Sequence, residues 1–284
     1  MQGKTCLVTG ATSGIGKAAA IELARRGATV VIVARNQEKG ARAAADIQAS
    51  SGSQTVEALA ADLSSLAAVR RLAGEFRARW SRLDVLINNA GVHCTVRSET
   101  RDGLETTFAV NHLAVFLLTK LLLDLLKASA PARIITVASA AHVGVSMDWD
   151  DLQSTRSYGY GRRAYGQSKL ANLLFTDELA RRLEGAGVTA NCLHPGVVHT
   201  GLWNGSPGLS GRVADLLTAL ARPFVRTPEQ GAETIVYLAG ARDLEGVSGK
   251  YFVDCVETPS SPQSIDAASA RRLWDISELL TGSA

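Results

Sequence analysis

The chain contains five tyrosines, and among them only Tyr165 has a lysine four positions later, Lys169. On a helix, this spacing places the phenol and the ammonium on one face. A free phenol has a pKa of about 10, and a nearby positive charge favours the phenolate and lowers that pKa. Tyr165 is therefore a candidate general acid and general base near neutral pH. The alternative interpretation is an exposed i,i+4 pair without function, because this spacing is common by chance.

Two further polar residues stand where chemistry could use them. Ser139 ends the apolar run 134–138, so its hydroxyl is expected at the carboxyl edge of a strand, where a bound carbonyl oxygen would lie. Asn111 is a polar residue inside the otherwise apolar helical stretch 104–126. Two interpretations of Asn111 stay open: an amide satisfied by backbone groups, or a helix distortion that holds water near Lys169 for a proton relay.

A glycine-rich turn follows the first predicted strand. Glycines permit a tight turn and a close backbone approach, and a helix that begins near Gly14 offers free N–H groups and a positive dipole to a pyrophosphate. Because the turn lies between a strand and a helix, it predicts a dinucleotide site rather than a mere connection. An oxidised nicotinamide bound there would add positive charge near Tyr165. The predicted contacts in the turn are Gly10, Thr12, Ser13, Gly14, Ile15 and Gly16.

The end of the second predicted strand indicates which dinucleotide is bound. Sites that prefer NAD usually place a carboxylate there to accept from a ribose hydroxyl, whereas this chain has Ala34-Arg35-Asn36. Ala34 removes a charge that would repel a 2′-phosphate, and the guanidinium of Arg35 supplies a planar, permanently charged fork for one. The sequence favours NADP(H), with NAD(H) as the alternative. The interpretation without function is a solvated arginine at a strand end.

The elements that must position these residues alternate from the start of the chain. Predicted strands cover 5–9, 29–34, 56–61, 85–88, 133–138, 189–194 and 251–254. Predicted helices cover 14–26, 36–50, 64–80, 103–127, 164–184 and 228–239. Strands that are apolar throughout are typical of a parallel sheet covered on both faces. The order predicts an α/β fold: a Rossmann-type doubly wound parallel sheet of about seven strands, with helices on both faces.

The sequence also predicts the domain organisation of the chain. No composition break or internal repeat divides it, so residues 1–284 are predicted to form a single domain. Two long loops interrupt the alternation, one over 140–163 and a substrate-loop insertion around 197–227. Both follow strands at their carboxyl ends, where open α/β sheets bind ligands.

The composition excludes several classes of protein. Hydrophobic residues make up 46% of the chain and charged residues 20%, and the net charge of +3 is too weak for a nucleic-acid surface. The cysteines form no C-x-x-C pair and the histidines show no metal-ligand spacing, so we expect no disulfide, no metal and a cytoplasmic location. The most apolar stretch, 113–126, is expected to be too short for a membrane span, and no signal peptide is expected.

Taken in order along nearly the whole chain, these features resemble the motifs of the short-chain dehydrogenase/reductase family. The motifs are Thr9-Gly10-x-x-x-Gly14-Ile15-Gly16, Asp62-Leu63, Asn88-Asn89-Ala90-Gly91, Asn111, Ser139, Tyr165-x-x-x-Lys169 and Pro195-Gly196-x-x-x-Thr200. The resemblance implies a catalytic tetrad made of Asn111, Ser139, Tyr165 and Lys169. For the turn at 88–91 and for Asp62, the alternative is ordinary turn chemistry after a strand.

The resemblance also implies contacts with the cofactor. Asp62 would contact the adenine, Asn89 the adenosine ribose and Lys169 the nicotinamide ribose. Gly196, Val198 and Thr200 would contact the nicotinamide end. The other contacts expected from these motifs are Leu63, Ala90, Gly91, Tyr165 and Pro195.

A narrower resemblance is to the retinol dehydrogenases and their WW-domain-containing oxidoreductase relatives. It rests on Ala34-Arg35-Asn36-x-x-Lys39-Gly40, Val110-Asn111-His112-Leu113, Ser168-Lys169-Leu170-Ala171-Asn172, His194-Pro195-Gly196 and Arg272-Leu273-Trp274. The long spacer between Ser139 and Tyr165 also fits. The resemblance implies NADP dependence. Animal members of that subgroup often carry a membrane anchor or added domains, and we expect neither here.

These observations predict an NADP(H)-dependent oxidoreductase that interconverts an aldehyde or ketone and the alcohol by hydride transfer, with Tyr165 as general acid and base. The predicted pocket is mostly apolar, so the expected substrate is a lipophilic small molecule such as retinal. The predicted pocket residues are His93, Cys94, Val143, Val145, Leu202, Trp203 and Leu217. The alternative function is that of a non-catalytic dinucleotide-binding regulator. The apolar faces of helices 104–127 and 164–184 either pair with a second subunit, forming a homo-oligomer, or pack within the monomer.

Overall fold

The fold is seen in a computed structural model that describes residues 1–198 and 226–283. In those ranges, eight strands form one sheet in the order β3-β2-β1-β4-β5-β6-β7-β8. The strands are β1 (Thr5–Thr9), β2 (Thr29–Ala34), β3 (Val56–Ala60), β4 (Val85–Asn88), β5 (Ala132–Val137), β6 (Val188–His194), β7 (Tyr251–Val253) and β8 (Val256–Glu257). Strands β1 to β7 pair in parallel. The predicted parallel α/β sheet is confirmed.

Strand β8 is an addition to the predicted seven. It runs antiparallel to β7 and is only two residues long. The turn between the two strands is made by Asp254 and Cys255, at φ values of 54° and 62°. A two-residue strand carries no alternation of polar and apolar residues, so the sequence pattern does not separate it from a loop.

Helices cover both faces of the sheet, as predicted, and the side chains of each strand alternate between two cores. The helices are α1 (Gly14–Arg25), α2 (Gln37–Ser51), α3 (Leu66–Arg79), α4 (Thr106–Phe108), α5 (Ala114–Ala128), α6 (Arg162–Arg182), α7 (Pro228–Gly240) and α8 (Ala267–Thr281). On β1, Cys6 and Val8 pack with α1, α2 and α7, whereas Leu7 packs with α3, α5 and α6 on the other face.

The segment Thr106–Ala128 is one helix that is distorted near its start. Between α4 and α5 lies a π-helical segment, Ala109–Leu113. Within the described ranges this is one helix long and apolar enough to cross a membrane, which corrects the expectation of a stretch that is too short. However, 72% of its most apolar window is buried inside the fold. Packing in the core therefore accounts for its apolar character.

Helix α8 is absent from the predicted helices. Asp266 caps it by accepting from two main-chain N–H groups of its first turn. Its Trp274 stacks on Phe175 at 5.9 Å between ring centroids and meets Phe116 edge-on at 4.9 Å. Helix α8 thus covers apolar surface of α5 and α6. Packing within the monomer is what the structure shows for these faces, and self-association stays a prediction.

Candidate active site

A cleft of about 1140 Å³ lies at the carboxyl edge of the sheet. It is centred where the strand order reverses between β1 and β4, which is where open α/β sheets bind ligands. The structure brings nearly all predicted site residues to its walls. Those that line it are Gly10, Thr12, Ser13, Gly14, Ile15, Gly16, Arg35, Asp62, Leu63, Asn89, Ala90, Gly91, Ser139, Tyr165, Lys169, Pro195, Gly196 and Val198. Thr200 lies outside the described residues, and Asn111 is fully buried behind the wall.

The glycine turn is built by close backbone contact. Gly10 has a φ of 67°. A Cβ atom on Gly16 would lie 2.4 Å from the Asn89 amide nitrogen and 2.5 Å from the carbonyl oxygen of Gly10. Asn89 itself donates from Nδ2 to the carbonyl oxygens of Thr9 and Gly10, at 2.9 and 3.1 Å. The side chain expected to contact a ribose therefore ties the turn to the end of β4.

The start of α1 fits a pyrophosphate. Ser13 occupies the N-cap, but its side chain makes no capping hydrogen bond to the first turn. The helix N-terminus therefore keeps main-chain N–H groups for an external acceptor, and the first residues of α1 line the cleft. A phosphate group is the acceptor that such a helix terminus binds best.

The far end of the cleft is cationic. Arg35 lines it at the end of β2, together with Asn36 and Lys39. The Asn36 side chain accepts from the main-chain N–H of Lys39 at 2.9 Å and so caps α2. Lys39 is absent from the predicted contacts. Its signal in the sequence is its position within the first turn of a helix that starts beside Arg35.

Asp62 lies across the cleft from α2 as a carboxylate. Burial alone would raise its pKa, but hydrogen bonds from Ser64 and the charges of Arg35 and Arg101 hold that pKa below its usual range. The Ser64 main-chain N–H and hydroxyl donate to one Asp62 oxygen at 3.0 and 2.8 Å. Asp62 is thus ionised at neutral pH and balances part of the positive charge of Arg35.

Tyr165 and Ser139 meet on the wall at the end of β5. The hydroxyl oxygen of Ser139 accepts from the main-chain N–H of Ala141 at 3.2 Å, and the hydroxyl is hydrogen-bonded to Tyr165. Burial raises the pKa of the Tyr165 phenol, and the bond to Ser139 counters this only in part. The predicted lowering of this pKa is wrong for the protein alone, because desolvation of the phenolate outweighs the neighbouring groups.

Lys169 is buried beneath Tyr165. Its ammonium lies 5.6 Å from the centroid of the Tyr165 ring and donates to the carbonyl oxygen of Val137 at 2.9 Å. Burial lowers the pKa of Lys169 to about 8. Since this value still lies above neutral pH, the side chain enters the wall of the cleft as a cation. The interpretation of an exposed helical pair is wrong.

Asn111 lies at the centre of the π-helical segment, so the helix distortion considered from the sequence is present. Its amide oxygen accepts from the Val92 N–H at 2.7 Å, and its amide nitrogen donates to the Val92 carbonyl and the Ser168 hydroxyl, both at 2.9 Å. A Cβ atom on Gly91 would meet Asn111 and Lys169 at 3.4 and 3.5 Å. Asn111 therefore fixes the loop after β4 against α6, and the water relay stays a prediction.

The predicted substrate pocket is only partly confirmed. His93 and Cys94 line the cleft, and the ring of His93 meets that of Tyr165 edge-on at 5.4 Å. Val143 is 65% exposed and Val145 is partly buried against a core cluster, and neither lines the described cleft. The chain leaves the cleft after Ser139 in a short 3₁₀ turn, Ala140–His142. The remaining pocket candidates, Leu202, Trp203 and Leu217, lie outside the described residues.

Comparison with known proteins agrees with this geometry. The sequence pattern of the short chain dehydrogenase family matches residues 4–207. The chain is 46% identical to retinol dehydrogenase 14 of Mus musculus, over 99% of this chain and 87% of that protein. It is 47% identical to retinol dehydrogenase 13 of Homo sapiens, over 99% of this chain and 85% of that protein.

Solved structures give the same picture. A protein of Mycobacterium paratuberculosis superimposes with a TM-score of 0.79 at 36% identity, covering 99% of this chain and 94% of that one. The NADP active-site complex of RhlG from Pseudomonas aeruginosa has a TM-score of 0.69 at 31% identity, covering 89% of this chain and 94% of that one.

Proposed function

The chain belongs to the short-chain dehydrogenase family, and on that premise we propose that it is an NADP(H)-dependent oxidoreductase of lipophilic aldehydes, ketones and the corresponding alcohols. One observation carries the proposal: Ser139 and Tyr165 are hydrogen-bonded on the wall of the cleft, with the buried cation of Lys169 beneath them. This arrangement is suited to donate a proton to a carbonyl oxygen and to take it back from an alcohol.

The chain's own residues move the proton. Ser139 and Tyr165 donate hydrogen bonds to the substrate oxygen, and preorganised donors at that atom stabilise the negative charge that develops on it. Tyr165 transfers its phenolic proton to this oxygen in reduction and accepts the proton in oxidation. The positive charge of Lys169 favours the phenolate that reduction leaves behind. NADPH supplies the hydride when it is bound by the glycine turn and by the residues at 89–91 and 195–198.

The preference for NADP(H) is supported by charge. Arg35 and Lys39 line the same end of the cleft, where the N-terminus of α2 adds a positive dipole. A 2′-phosphate carries the negative charge that these groups attract, and the guanidinium of Arg35 can bind it through two N–H groups. The NADP complex of a structural relative is consistent with this preference.

The substrate class is supported by the lining near Tyr165 and by the relatives. Apolar side chains and small loop residues dominate that end of the cleft, and retinol dehydrogenases are among the relatives at 44–47% identity. We therefore propose retinal-like and other apolar carbonyl compounds. The apolar and small residues that line this end are Val92, Cys94, Val110, Ala140 and Ala141.

We further propose that residues 1–284 act as one domain, with a substrate-loop insertion around 197–227. The eight described strands belong to one sheet, which supports this.

We also propose a cytoplasmic location. All four cysteines are free thiols, and burial raises the pKa of Cys6 and Cys192 to about 12. Such thiols are typical of a reducing compartment.

The test is NADPH consumption by the purified protein, with NADH in parallel, against apolar and small aldehydes and ketones that include retinal. We expect turnover of apolar carbonyls with NADPH. Tyr165→Phe should bind NADPH normally and lose about 10²- to 10⁴-fold in kcat, the usual contribution of general acid catalysis. A Tyr165→Phe variant with a near-normal rate would exclude the assigned proton donor. NADPH binding without turnover of any carbonyl would exclude the substrate class.

A further inference from the structure

A second side chain returns to Ser139 from behind the cleft. His142 ends the 3₁₀ turn that follows Ser139, and only 1% of it is exposed. Its Nδ1 atom lies 2.7 Å from the main-chain carbonyl oxygen of Ser139. Its ring meets Tyr251 of β7 edge-on, at 5.4 Å between centroids and 75° between planes. His142 therefore joins the turn after β5 to the neighbouring part of the sheet.

The chemistry of this contact fixes the proton on the ring. A carbonyl oxygen only accepts hydrogen bonds, so Nδ1 must carry a hydrogen. The Nε2 atom is buried and has no hydrogen-bond partner among the described residues. A phenyl ring would pack on Tyr251 without burying that nitrogen. The hydrogen bond to Ser139 is what the imidazole adds.

Both oxygens of Ser139 are thereby held by the turn. The hydroxyl oxygen accepts from the main-chain N–H of Ala141 at 3.2 Å, and the carbonyl oxygen accepts from the main-chain N–H of His142 at 3.2 Å as well as from its ring. With the hydroxyl oxygen engaged as an acceptor from one side, its single hydrogen is left to point towards Tyr165 in the protein alone and towards the substrate oxygen when substrate is bound. The direction of this hydrogen depends on the orientation of the turn.

From these contacts we infer that His142 is a positioning residue: its Nδ1–H holds the Ser139 carbonyl, which sets the Ser139 hydroxyl for hydrogen bonding to Tyr165 and the substrate. The inference rests on the proposed function for its effect on turnover. Its structural half, the Nδ1–H tautomer and the held carbonyl, stands independently of any substrate.

Three substitutions separate the hydrogen bond from the ring. In His142→Asn, the amide nitrogen lies near the place of Nδ1. In His142→Gln it lies near the place of Nε2, and His142→Phe keeps only the ring. We expect kcat to fall about 10- to 100-fold in the Gln and Phe variants, because a misplaced catalytic group costs this much. The Asn variant should stay within about 3-fold of the wild type, and the Kd for NADPH should be unchanged in all three.

The pH profile of alcohol oxidation gives a readout that simple destabilisation does not move. The Ser139 hydrogen bond lowers the pKa of Tyr165. Its loss should therefore shift the rising limb of kcat/KM to higher pH in the Gln and Phe variants, and the Asn variant should restore the wild-type limb. A lower fraction of folded enzyme would reduce the rate at every pH without moving the limb.

A Phe variant with wild-type kcat and an unshifted limb of the pH profile overturns the proposal. An Asn variant that is as impaired as the Phe variant also overturns it, because the ring would then matter rather than the hydrogen-bond donor. If the Phe variant does not fold, the Gln and Asn variants carry the same comparison. If the wild type turns over no carbonyl, the proposed function fails, but the ¹⁵N shifts of labelled histidine still test the contact. A spectrum in which Nδ1 of His142 carries no hydrogen overturns it.

Discussion

The two halves of the cleft are held together by different means. The half that fits a dinucleotide is shaped by backbone: glycines that pack against neighbouring main chain, a free helix terminus, and an asparagine that ties the turn to β4. The half that fits the reacting carbonyl is held by buried side chains from distant segments. Asn111 reaches Val92 and Ser168, and Lys169 reaches Val137.

The two halves of the cleft should therefore be disrupted by different kinds of substitution. A backbone-shaped site tolerates many side chains around it but no Cβ atom at its closest approach. A site held by buried polar side chains depends on each partner, because an unpaired buried donor or charge loses its full solvation. The first half should therefore fail through steric contact and the second through lost charge or hydrogen bonding.

The largest expected effect concerns the buried charge in the second half. The pKa of Lys169 is lowered by burial from 10.5 in the unfolded chain to about 8 in the folded protein. Between these values the unfolded chain holds a proton that the folded protein does not, so the free energy of unfolding contributed by this group rises with pH. The rise should be about 3 kcal/mol. Denaturant unfolding of the wild type and Lys169→Met from pH 7.5 to 10.5 (about the range set by these pKa values) measures it as a difference.

A flat difference between the two proteins over that range would mean that the ammonium is hydrated in the folded state. The comparison of the two halves would then fail at its strongest point, because the second half would not hold a desolvated charge.

Gly16→Ala should disrupt the half of the cleft that fits a dinucleotide. The added Cβ would collide with Asn89 and with the carbonyl of Gly10, so the turn must move and the helix terminus with it. We expect NADPH affinity to fall about 30-fold, or about 2 kcal/mol, when measured by fluorescence titration. Gly74→Ala is the matched control, since a Cβ there meets nothing within 4 Å and should leave NADPH binding unchanged. Equal binding by the two variants would contradict the steric account.

Arg35→Ala tests the contribution of charge to dinucleotide binding, because it leaves the shape of the glycine turn intact. Loss of one charge-assisted contact should raise the KM for NADPH about 10-fold, or about 1.4 kcal/mol, and leave the KM for NADH unchanged. Arg42→Ala on the neighbouring helix α2 is the control, because Arg42 pairs with Glu38 on the surface of that helix. Equal loss for both dinucleotides would show that Arg35 does not recognise a 2′-phosphate.

The smallest expected effect is in the second half. Ser168 accepts from Asn111 and donates to the Tyr165 carbonyl at 2.8 Å. Ser168→Ala should cost about 1 kcal/mol of stability, the usual net value of a neutral hydrogen bond, and should also lower kcat about 5-fold. Thr176→Val on the same helix also removes a hydroxyl that donates to a main-chain carbonyl, that of Asn172. The Thr176→Val variant should lose a similar amount of stability, and its kcat should be unchanged. A fall in its kcat would contradict the inference that Ser168 affects turnover through its hydrogen bond with Asn111.

The same division explains how far sequence analysis reaches. The glycine turn, seven of the eight described strands and the alternation of strands with helices are local patterns that the sequence predicts, whereas the two-residue β8 and helix α8 are not predicted. The role of Asn89 as a tie, the clamp of Asn111 on Val92 and the burial of Lys169 depend on which segments meet in three dimensions. No residue spacing in the sequence predicts these contacts. For the protein alone, the pKa of Tyr165 has the opposite sign of shift from the predicted one, because the burial of its phenol is not visible in the sequence.

Helix α8 also has a consequence for synthesis on the ribosome. Trp274 completes an aromatic cluster with Phe116 and Phe175, yet it leaves the ribosome after both of them. Until then, the nascent sheet presents these two rings on a face that α8 does not yet cover. Chains that stop before α8 carry an open aromatic surface, which favours aggregation and capture by chaperones. Only chains that extend through the fifteen residues of α8 can therefore cover this surface.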